Sequence, residues 1–331
     1  MPAHFSVAPM IDWTDRHCRY FHRQLSKNAT LYTEMITTGA ILHGKNDFLA
    51  YNEAEHPVVL QLGGSNPADL AACTRNAVQR GYDEINLNLG CPSDRVQNGK
   101  FGACLMAEPE LVRNCIRAMQ DASEGVPISI KTRLGIDQQD SHEFLMTLLM
   151  AVVDEGVERI TLHARKAWLN GLSPKENREV PPLDYGRVYR VKKELPNLQI
   201  HINGGIQSIE EATGHLAHVD GVMIGRAAYQ NPWMLQAVDP QIFGSQAPVD
   251  SPEQVVERMG IYIERHIASG GKFWHVARHM LGLFQNRPGA RQWRRYLSEN
   301  GPRATTVQPL YAALAKIEHP GNAGKIKHNP S

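Results

Sequence analysis

The sequence predicts an α/β fold, a (β/α)8 TIM barrel followed by a small all-helical domain. Short apolar strand candidates alternate with helix candidates eight times over roughly the first 240 residues, which is typical of such a barrel. Polar residues and glycines recur where these strands end, and no strand candidate follows Phe243. A doubly wound sheet would need fewer strands and a change in strand order, so it is the less favoured alternative.

Each strand is predicted from a short apolar or alternating run that a turn or cap signal follows. The predicted strand ranges are 5–10, 31–36, 58–62, 85–89, 127–132, 159–163, 199–203 and 221–224. Helix starts are predicted where a side chain can accept hydrogen bonds from the amides of the first helical turn. The candidate N-caps are Asp12 or Thr14, Asn66, Asp140, Ser208 and Ser251.

The chain divides, on its sequence, into a catalytic barrel over residues 1–243 and a helical domain over residues 251–331. In the second part, helices are predicted at about 252–268, 272–286, 290–299 and 304–317, followed by a frayed polar tail. From residue 245 onward there are 12 Lys and Arg against 6 Asp and Glu, whereas the preceding residues carry 23 against 28. A basic helical domain on an acidic barrel favours a polyanionic partner.

Composition excludes several classes of protein. The chain is 42% hydrophobic and 21% charged, as in ordinary globular proteins, and no apolar run approaches the ~18 residues that a membrane helix needs. Residues 1–10 lack the pattern of a signal peptide, and five cysteines without a Cys-x-x-Cys pair argue against a disulfide framework or a zinc site. We therefore expect a cytoplasmic protein with reduced thiols, no metal, no membrane contact and no stable protein partner.

Residues 83–93 carry the strongest catalytic candidate. Apolar and polar side chains alternate there and the strand then breaks at Gly90-Cys91-Pro92, because Pro92 cannot donate to a sheet. Cys91 is thus placed at the carboxyl end of a strand, where barrel active sites lie, with Asn86 and Asn88 below it on one face. A lone cysteine is usually a small buried hydrophobic residue, but this polar setting favours a functional one.

Seven of the eight predicted strands end in residues that could take part in an active site, and solvent exposure alone does not explain this number. Asn203-Gly204-Gly205 and Gly225-Arg226 form a phosphate-site pattern, because glycines let a phosphate approach backbone amides near helix N-termini. A tight turn is the structural alternative. Lys131 could neutralise the anionic ring edge of reduced flavin, Gln61 could bond its pyrimidine edge and Pro9-Met10 could contact it, so FMN is the favoured ligand.

Two further segments, residues 164–178 and 290–297, interleave basic and aromatic side chains. This composition suits phosphate contact and base stacking, although a solvated loop and a solvated helix face are the ordinary alternatives. The basic candidates for RNA contact are Lys175, Arg178, Arg291, Arg294 and Arg295.

Together these motifs resemble those of the tRNA-dihydrouridine synthases. The residues that carry the resemblance are Ala8-Pro9-Met10, Gln61-Leu62-Gly63-Gly64, Asn86-Leu87-Asn88, Gly90-Cys91-Pro92, Lys131-Thr132-Arg133, His163-Ala164-Arg165, Asn203-Gly204-Gly205-Ile206 and Gly225-Arg226. Segments 12–19, 173–178 and 289–297 resemble the A branch, which acts on uridines 20 and 20a of the tRNA D-loop.

The resemblance implies reduction of the uridine C5=C6 bond by FMN, with NADPH as electron source, Cys91 as the general acid at C5 and tRNA as the partner. It also implies that Asn88 contacts the target uridine. The predicted FMN-binding residues are Ala8, Pro9, Met10, Gln61, Lys131, His163, Asn203, Gly204, Gly205, Gly225 and Arg226.

Three other functions stay open on the sequence. An FMN barrel could reduce a free small-molecule enone or pyrimidine, which leaves the basic helical domain without a role. An RNA-binding protein with an inactive barrel would not need Cys91. A phosphosugar isomerase would need a carboxylate base at a strand end, and Glu34 is the only obvious candidate.

Overall fold

Eight parallel strands close into one barrel in the computed structural model, which describes residues 3–93 and 99–318. Each strand pairs with the next along the chain, and the last pairs with the first. The strands are β1 His4–Val7, β2 Thr30–Thr37, β3 Val58–Gly63, β4 Glu84–Leu89, β5 Ile128–Arg133, β6 Arg159–His163, β7 Gln199–Asn203 and β8 Gly221–Ile224. The predicted (β/α)8 barrel is confirmed.

Helices lie between the strands and continue after the barrel. They are α1 Arg16–Arg23, α2 Thr38–His43, α3 Pro67–Gln79, α4 Pro109–Asp121, α5 His142–Val153, α6 Tyr185–Glu194, α7 Ile209–Leu216, α8 Arg226–Gln230, α9 Val238–Ile242, α10 Pro252–Ala268, α11 Phe273–Ala277, α12 Ala290–Asn300 and α13 Gln308–Glu318. Short 3-10 turns lie at Glu53–Glu55, Gly102–Ala107, Glu176–Arg178, Pro232–Ala237, Arg278–Met280 and Gly301–Arg303. Among the described residues, no helix is both long and apolar enough to cross a membrane.

In β4, the buried apolar residues Ile85, Leu87 and Leu89 alternate with the buried polar residues Glu84, Asn86 and Asn88. Register then aligns the interior polar side chains, with Gln61 beside Asn86 and Asn88 beside Lys131. A shift of one residue would turn these side chains into the apolar layer, so the hydrophobic pattern holds them inside the barrel.

The helical region packs on α1. The carboxylate of Asp15, at the start of α1, accepts a hydrogen bond from Arg278 Nη2 at 2.7 Å and lies 3.0 Å from His279 Nε2. Buried side chains of the barrel and of the helices beyond it belong to one continuous apolar cluster. The division at residues 243 and 251 therefore stays a prediction.

Two predicted helix caps are wrong. The α1 cap is Asp15, which accepts from His17 N and Cys18 N at 2.9 Å, whereas the Thr14 hydroxyl bonds the backbone of Met10. The α5 cap is Ser141, because Asp140 instead forms an ion pair with a lysine of a neighbouring loop. In both cases the side chain that the sequence favours as the cap bonds another group instead, the Met10 backbone for Thr14 and Lys166 for Asp140.

The helix predicted at 272–286 ends early. Only α11 and one 3-10 turn form, and Gly282 then approaches the Gln230 carbonyl so closely that a Cβ would lie 2.3 Å from that oxygen. Asn286 adopts a φ of 65°, which a helix does not allow. The sequence predicts one more helix starting at Asn231-Pro232, but a 3-10 turn begins there. The short helix α8 was not predicted, and the polar tail lies outside the described residues.

Candidate active site

The carboxyl ends of the barrel strands surround a cavity of about 560 Å³. All eleven residues predicted to bind FMN line this cavity, as do Cys91, Asn88 and Arg178. Lys175, Arg291, Arg294 and Arg295 do not line it. The structure thus brings together residues on or just after all eight strands, Met35 of β2 included, because the carboxyl ends of the strands meet at one mouth of a closed barrel.

Cys91 is held at the cavity wall by the backbone on both sides of it. Asn88 Oδ1 accepts from Gly90 N at 3.1 Å and from Cys91 N at 2.9 Å, and the Cys91 carbonyl accepts from Ala103 N at 2.9 Å. Its half-buried thiol lies 3.5 Å from the Ser93 hydroxyl. The thiol is therefore positioned and accessible from the cavity.

A chain of buried hydrogen bonds runs from Asn88 down the barrel interior. Asn88 Nδ2 donates to Gln61 Oε1, Gln61 Nε2 to Asn86 Oδ1 and Asn86 Nδ2 to Ser129 Oγ, each at 2.8 Å. The Ser129 hydroxyl donates in turn to Glu84. Asn88 thus orients both Gln61 and the Cys91 turn, a positioning role that its place on the strand did not reveal.

Several cationic side chains line the cavity, and the acid nearest to one of them, Glu179, lies outside the lining. Burial, together with the nearby charge of Arg133, lowers the pKa of Lys131 to about 7. Burial, followed by the nearby charges of Arg133 and Lys131, holds the pKa of His163 well below its usual range. No Asp or Glu in residues 3–93 and 99–318 lines the cavity, so its electrostatic environment favours an anion.

The two glycines after β7 give the cavity part of its wall. Gly204 and Gly205 have φ of 112° and 77°, which side-chain-bearing residues rarely adopt. A Cβ on Gly205 would lie 2.5 Å from Leu183 and 2.7 Å from the Tyr185 hydroxyl. That hydroxyl also donates to the Gly204 carbonyl at 2.8 Å, which holds the Gly204 backbone in place. A side chain at position 205 would clash with Leu183 and Tyr185, so a glycine is needed there.

Arg133 fastens the loop after β6, a role that the sequence did not indicate. Its guanidinium donates to the carbonyls of Gly90 at 2.9 Å and of Lys166 and Asn177 at 3.0 Å. The Asn177 amide is fully buried and bonds the backbone of Trp168 in both directions, at 2.8 and 2.9 Å. Arg133 therefore connects the Cys91 turn to the loop that carries Arg178.

The predicted basic contacts differ in their surroundings. Arg226 lines the cavity but forms a partly exposed ion pair with Glu179 at 2.6 Å. In α12, Arg294 is half-buried and bonds Gln285 at 2.7 Å, and Arg295 pairs with Glu299 at 2.7 Å. Arg291 and Arg295 are exposed on the α12 surface.

An aromatic pair at the cavity was missed. Trp13 lines the cavity and stacks on Tyr229 of α8, with ring centroids 4.3 Å apart and an interplanar angle of 13°. The two residues are far apart in sequence and neither stands at a strand end, so no local pattern could join them.

Comparison with known proteins identifies the family. The sequence model of the family described as "Dihydrouridine synthase (Dus)" matches residues 6–318. This chain belongs to the dihydrouridine synthase family. It is therefore an oxidoreductase, and the cavity at the barrel mouth is the candidate active site of a dihydrouridine synthase.

Named relatives share most of their length with this dihydrouridine synthase. It is 63% identical over 314 residues to the "tRNA-dihydrouridine(20/20a) synthase" of Vibrio vulnificus (strain CMCP6), covering 94% of this chain and 96% of the relative. A protein of the same name from Escherichia coli (strain K12) is 64% identical over 301 residues, with 91% and 87% covered.

Solved structures with a similar fold are more distant in sequence. An old yellow enzyme homologue from Zymomonas mobilis gives a TM-score of 0.51 at 12% identity, covering 71% of this chain and 87% of that one. Morphinone reductase also gives 0.51, at 11% identity, with 76% and 88% covered. At such identities these two structures support the barrel fold alone.

Proposed function

We propose that this protein reduces the C5=C6 bond of uridines 20 and 20a in the D-loop of tRNA, using FMN at the barrel mouth and NADPH as electron donor. The observation that carries the proposal is the cavity, which combines a positioned thiol, an oriented amide and a cationic lining that contains no described acidic residue. The names of the 63–64% identical relatives support the choice of substrate and positions.

The cavity residues fit FMN. His163 Nδ1 is buried and has no hydrogen-bond partner among the described residues, so it is available to a ligand. Gly204 and Gly205 present bare backbone, and Lys131 with Arg226 offers positive charge to a phosphate or an anionic ring. When bound, FMN would accept a hydride from NADPH and supply one to C6 of uridine.

Cys91 would donate a proton at C5 of the uridine. Protonation there removes the negative charge that otherwise spreads from C5 onto the C4 carbonyl, so a positioned acid is needed at this atom. The hydrogen bonds from Gly90 N and Cys91 N to Asn88 hold the thiol in place. Asn88 also lines the cavity, where it would contact the base.

The alternative base for an isomerase is poorly placed. Glu34 Oε1 accepts from the Asp12 amide at 2.5 Å, and Glu34 does not line the cavity. The Cys91 turn, by contrast, opens on the cavity directly. These positions favour a reductase over an isomerase.

Unmodified tRNA transcript and free uridine distinguish the two reductase functions. Protein reduced anaerobically with NADPH is mixed with each, and flavin reoxidation is followed by absorbance. Rapid reoxidation by tRNA alone, with dihydrouridine mapped to positions 20 and 20a, is the expected result. Equal reoxidation by free uridine contradicts the tRNA assignment, and a protein that binds no FMN contradicts the cofactor.

The salt dependence of tRNA affinity tests the basic contacts. If Arg291 binds a phosphate, Arg291→Gln should flatten the log–log slope of affinity against salt by about 0.7–0.9, because one fewer counterion is released. Arg178→Gln should do the same at the cavity edge. Arg258→Gln, whose guanidinium bonds the Pro248 carbonyl at 3.0 Å, is the matched control.

A further inference from the structure

Three histidines from distant parts of the chain meet where the helical region packs on the barrel. His17 lies on α1, His266 near the end of α10 and His275 on α11. One ring nitrogen of each lies within 4.8 Å of the others. His17 is buried, His266 half-buried and His275 exposed, so the cluster lies just below the surface.

The spacing of the two outer histidines matches that of ligands on one ion. His266 Nε2 and His275 Nδ1 are 3.3 Å apart. In a tetrahedral site with metal–nitrogen bonds of about 2.0–2.1 Å, two ligand nitrogens lie about 3.3 Å from each other. Because His275 is exposed, its ring can rotate to shorten those nitrogen–nitrogen distances in the cluster that exceed 3.3 Å.

The inner histidine has the outer-shell partner that ligating histidines usually have. His17 Nδ1 lies 2.8 Å from the Tyr262 hydroxyl, which leaves Nε2 as the ligand atom. Tyr262 is itself held by stacking on Tyr20, with ring centroids 4.0 Å apart. The orientation of the His17 ring is therefore set by a second layer of contacts.

The absence of a side chain at Gly271 leaves room for the His266 ring. A Cβ on Gly271 would lie 2.2 Å from His266 Nε2, so a side chain at 271 would displace the imidazole. The Gly271 amide also donates to the His266 carbonyl at 2.9 Å, which holds this glycine beside the Nε2 end of the ring. In this position His266 Nε2 lies 3.3 Å from His275 Nδ1.

We propose that His17, His266 and His275 form a binding site for one late first-row divalent ion of the Zn²⁺ class. Imidazole donors favour such ions over Mg²⁺ and Ca²⁺, and Asp15 is engaged with Arg278 and His279 rather than with the cluster. The fourth position, on the side of the exposed His275, is open to water. The bound ion joins α1 of the barrel to α10 and α11.

This site is independent of uridine reduction. The sequence argument against zinc concerned cysteine spacing, whereas these three ligands come together only in the folded chain. No reaction step depends on the ion.

Zn²⁺ titration of the full-length, tag-free protein, after treatment with EDTA, tests the site. One Zn²⁺ per chain should bind, and it should raise the unfolding temperature because the ion binds the folded state. His266→Gln and His275→Gln should each lose more than the about 10–100-fold in affinity that an outer-shell substitution costs, and Tyr262→Phe, which keeps the stack on Tyr20, should lose about that amount. His43→Gln, an exposed histidine on α2, should bind as the wild type does.

Co²⁺ provides a second measurement on the same variants. A tetrahedral site with nitrogen and water ligands gives visible d–d bands without thiolate-to-metal charge transfer in the near ultraviolet. Absence of Zn²⁺ binding by the wild type at micromolar concentrations overturns the proposal. Unchanged affinity in the two histidine variants, or a thiolate signal with Co²⁺, places the ion elsewhere and also overturns it.

Discussion

The two ends of the barrel treat buried charge in opposite ways. At the amino end, the Glu84 carboxylate bonds Arg159 and Ser129 and accepts from the Tyr32 hydroxyl at 3.2 Å. At the carboxyl end, Lys131 and its cationic neighbours face a cavity that no described acidic residue lines. The same strands thus carry a buried acid with its partners at one end, and at the other end a cavity lined by cationic residues without a described acid.

Two histidines lie at the amino end of the barrel, and a third, His163, lies at the carboxyl end. At the amino end, His4 stacks on His201 with ring centroids 4.5 Å apart, and burial lowers the pKa of His4 to about 3. Burial also holds the pKa of His201 well below its usual range, so both rings are neutral. All three histidines are therefore neutral, and the contrast between the ends lies in the placement of Glu84 and of the cationic residues around the cavity.

The largest expected effect is at Cys91. Loss of a positioned general acid typically costs ~10²–10⁴-fold, so Cys91→Ala should slow tRNA-driven flavin reoxidation by that factor. Reduction of the flavin by NADPH involves no proton at C5 and should stay near the wild-type rate. Stopped-flow absorbance of the two half-reactions separates these effects.

Cys104→Ala is the control for this variant. Cys104 is also half-buried, but its thiol bonds the Phe101 carbonyl at 3.1 Å and does not line the cavity. Reoxidation at the wild-type rate is expected. Normal reoxidation in Cys91→Ala as well would show that Cys91 only packs.

At the amino end, Glu84→Gln should destabilise the protein without affecting FMN. Because the Arg159 side chain is 26% exposed, removing its charge partner should lower the free energy of unfolding by less than the roughly 3–5 kcal/mol that breaking a fully buried pair costs. Urea unfolding measures this change, and Glu53→Gln, with a side chain 91% exposed, is the control. A large loss of FMN affinity in Glu84→Gln would contradict the expectation that the amino end of the barrel does not contribute to FMN binding.

Lys131→Met should have the opposite effects. FMN affinity should fall by about 10–100-fold, the usual value of a hydrogen bond to a charged group, while the apoprotein becomes more stable near neutral pH. The pKa of Lys131 is about 7 when folded and returns to its ordinary value of 10.5 on unfolding, so only the unfolded state holds the proton between these values. Apoprotein stability due to Lys131 therefore rises with pH across that range.

The same titration sets the pH dependence of FMN binding. An anionic ligand favours protonated Lys131, so wild-type FMN affinity should fall as pH rises above about 7. The difference between wild type and Lys131→Met, measured by urea unfolding and by flavin fluorescence across pH, isolates this group. Parallel pH profiles in the two proteins would contradict its assignment to the flavin.

The smallest expected effect is at Ser129, where the two ends are connected. Ser129→Ala leaves the buried Asn86 Nδ2 without its 2.8 Å bond and should cost about 1–3 kcal/mol in the free energy of unfolding. Because Gln61 keeps its bond from Asn88, FMN affinity should change little. A loss of FMN binding as large as that of Lys131→Met would show that the hydrogen-bond chain controls the cavity.

Much of the fold could be predicted from local pattern. Strands such as Arg159–His163 and Gly221–Ile224 match their predicted ranges, because apolar periodicity and turn residues act over a few neighbouring positions. Helix caps were less predictable. Asp15 and Ser141 compete with nearby polar residues, and tertiary partners decide which side chain is free to cap.

By itself, the sequence determined which residues stand at the ends of the barrel strands, since a closed parallel barrel must bring those ends together. Only the tertiary structure decided what surrounds them. Burial beside Arg133 sets the pKa of Lys131, and Asn88 becomes a positioning residue because Gln61 and the Cys91 turn lie within its reach. The three-histidine cluster joins positions 17, 266 and 275, which no local pattern relates, because burial and proximity depend on how the whole chain packs.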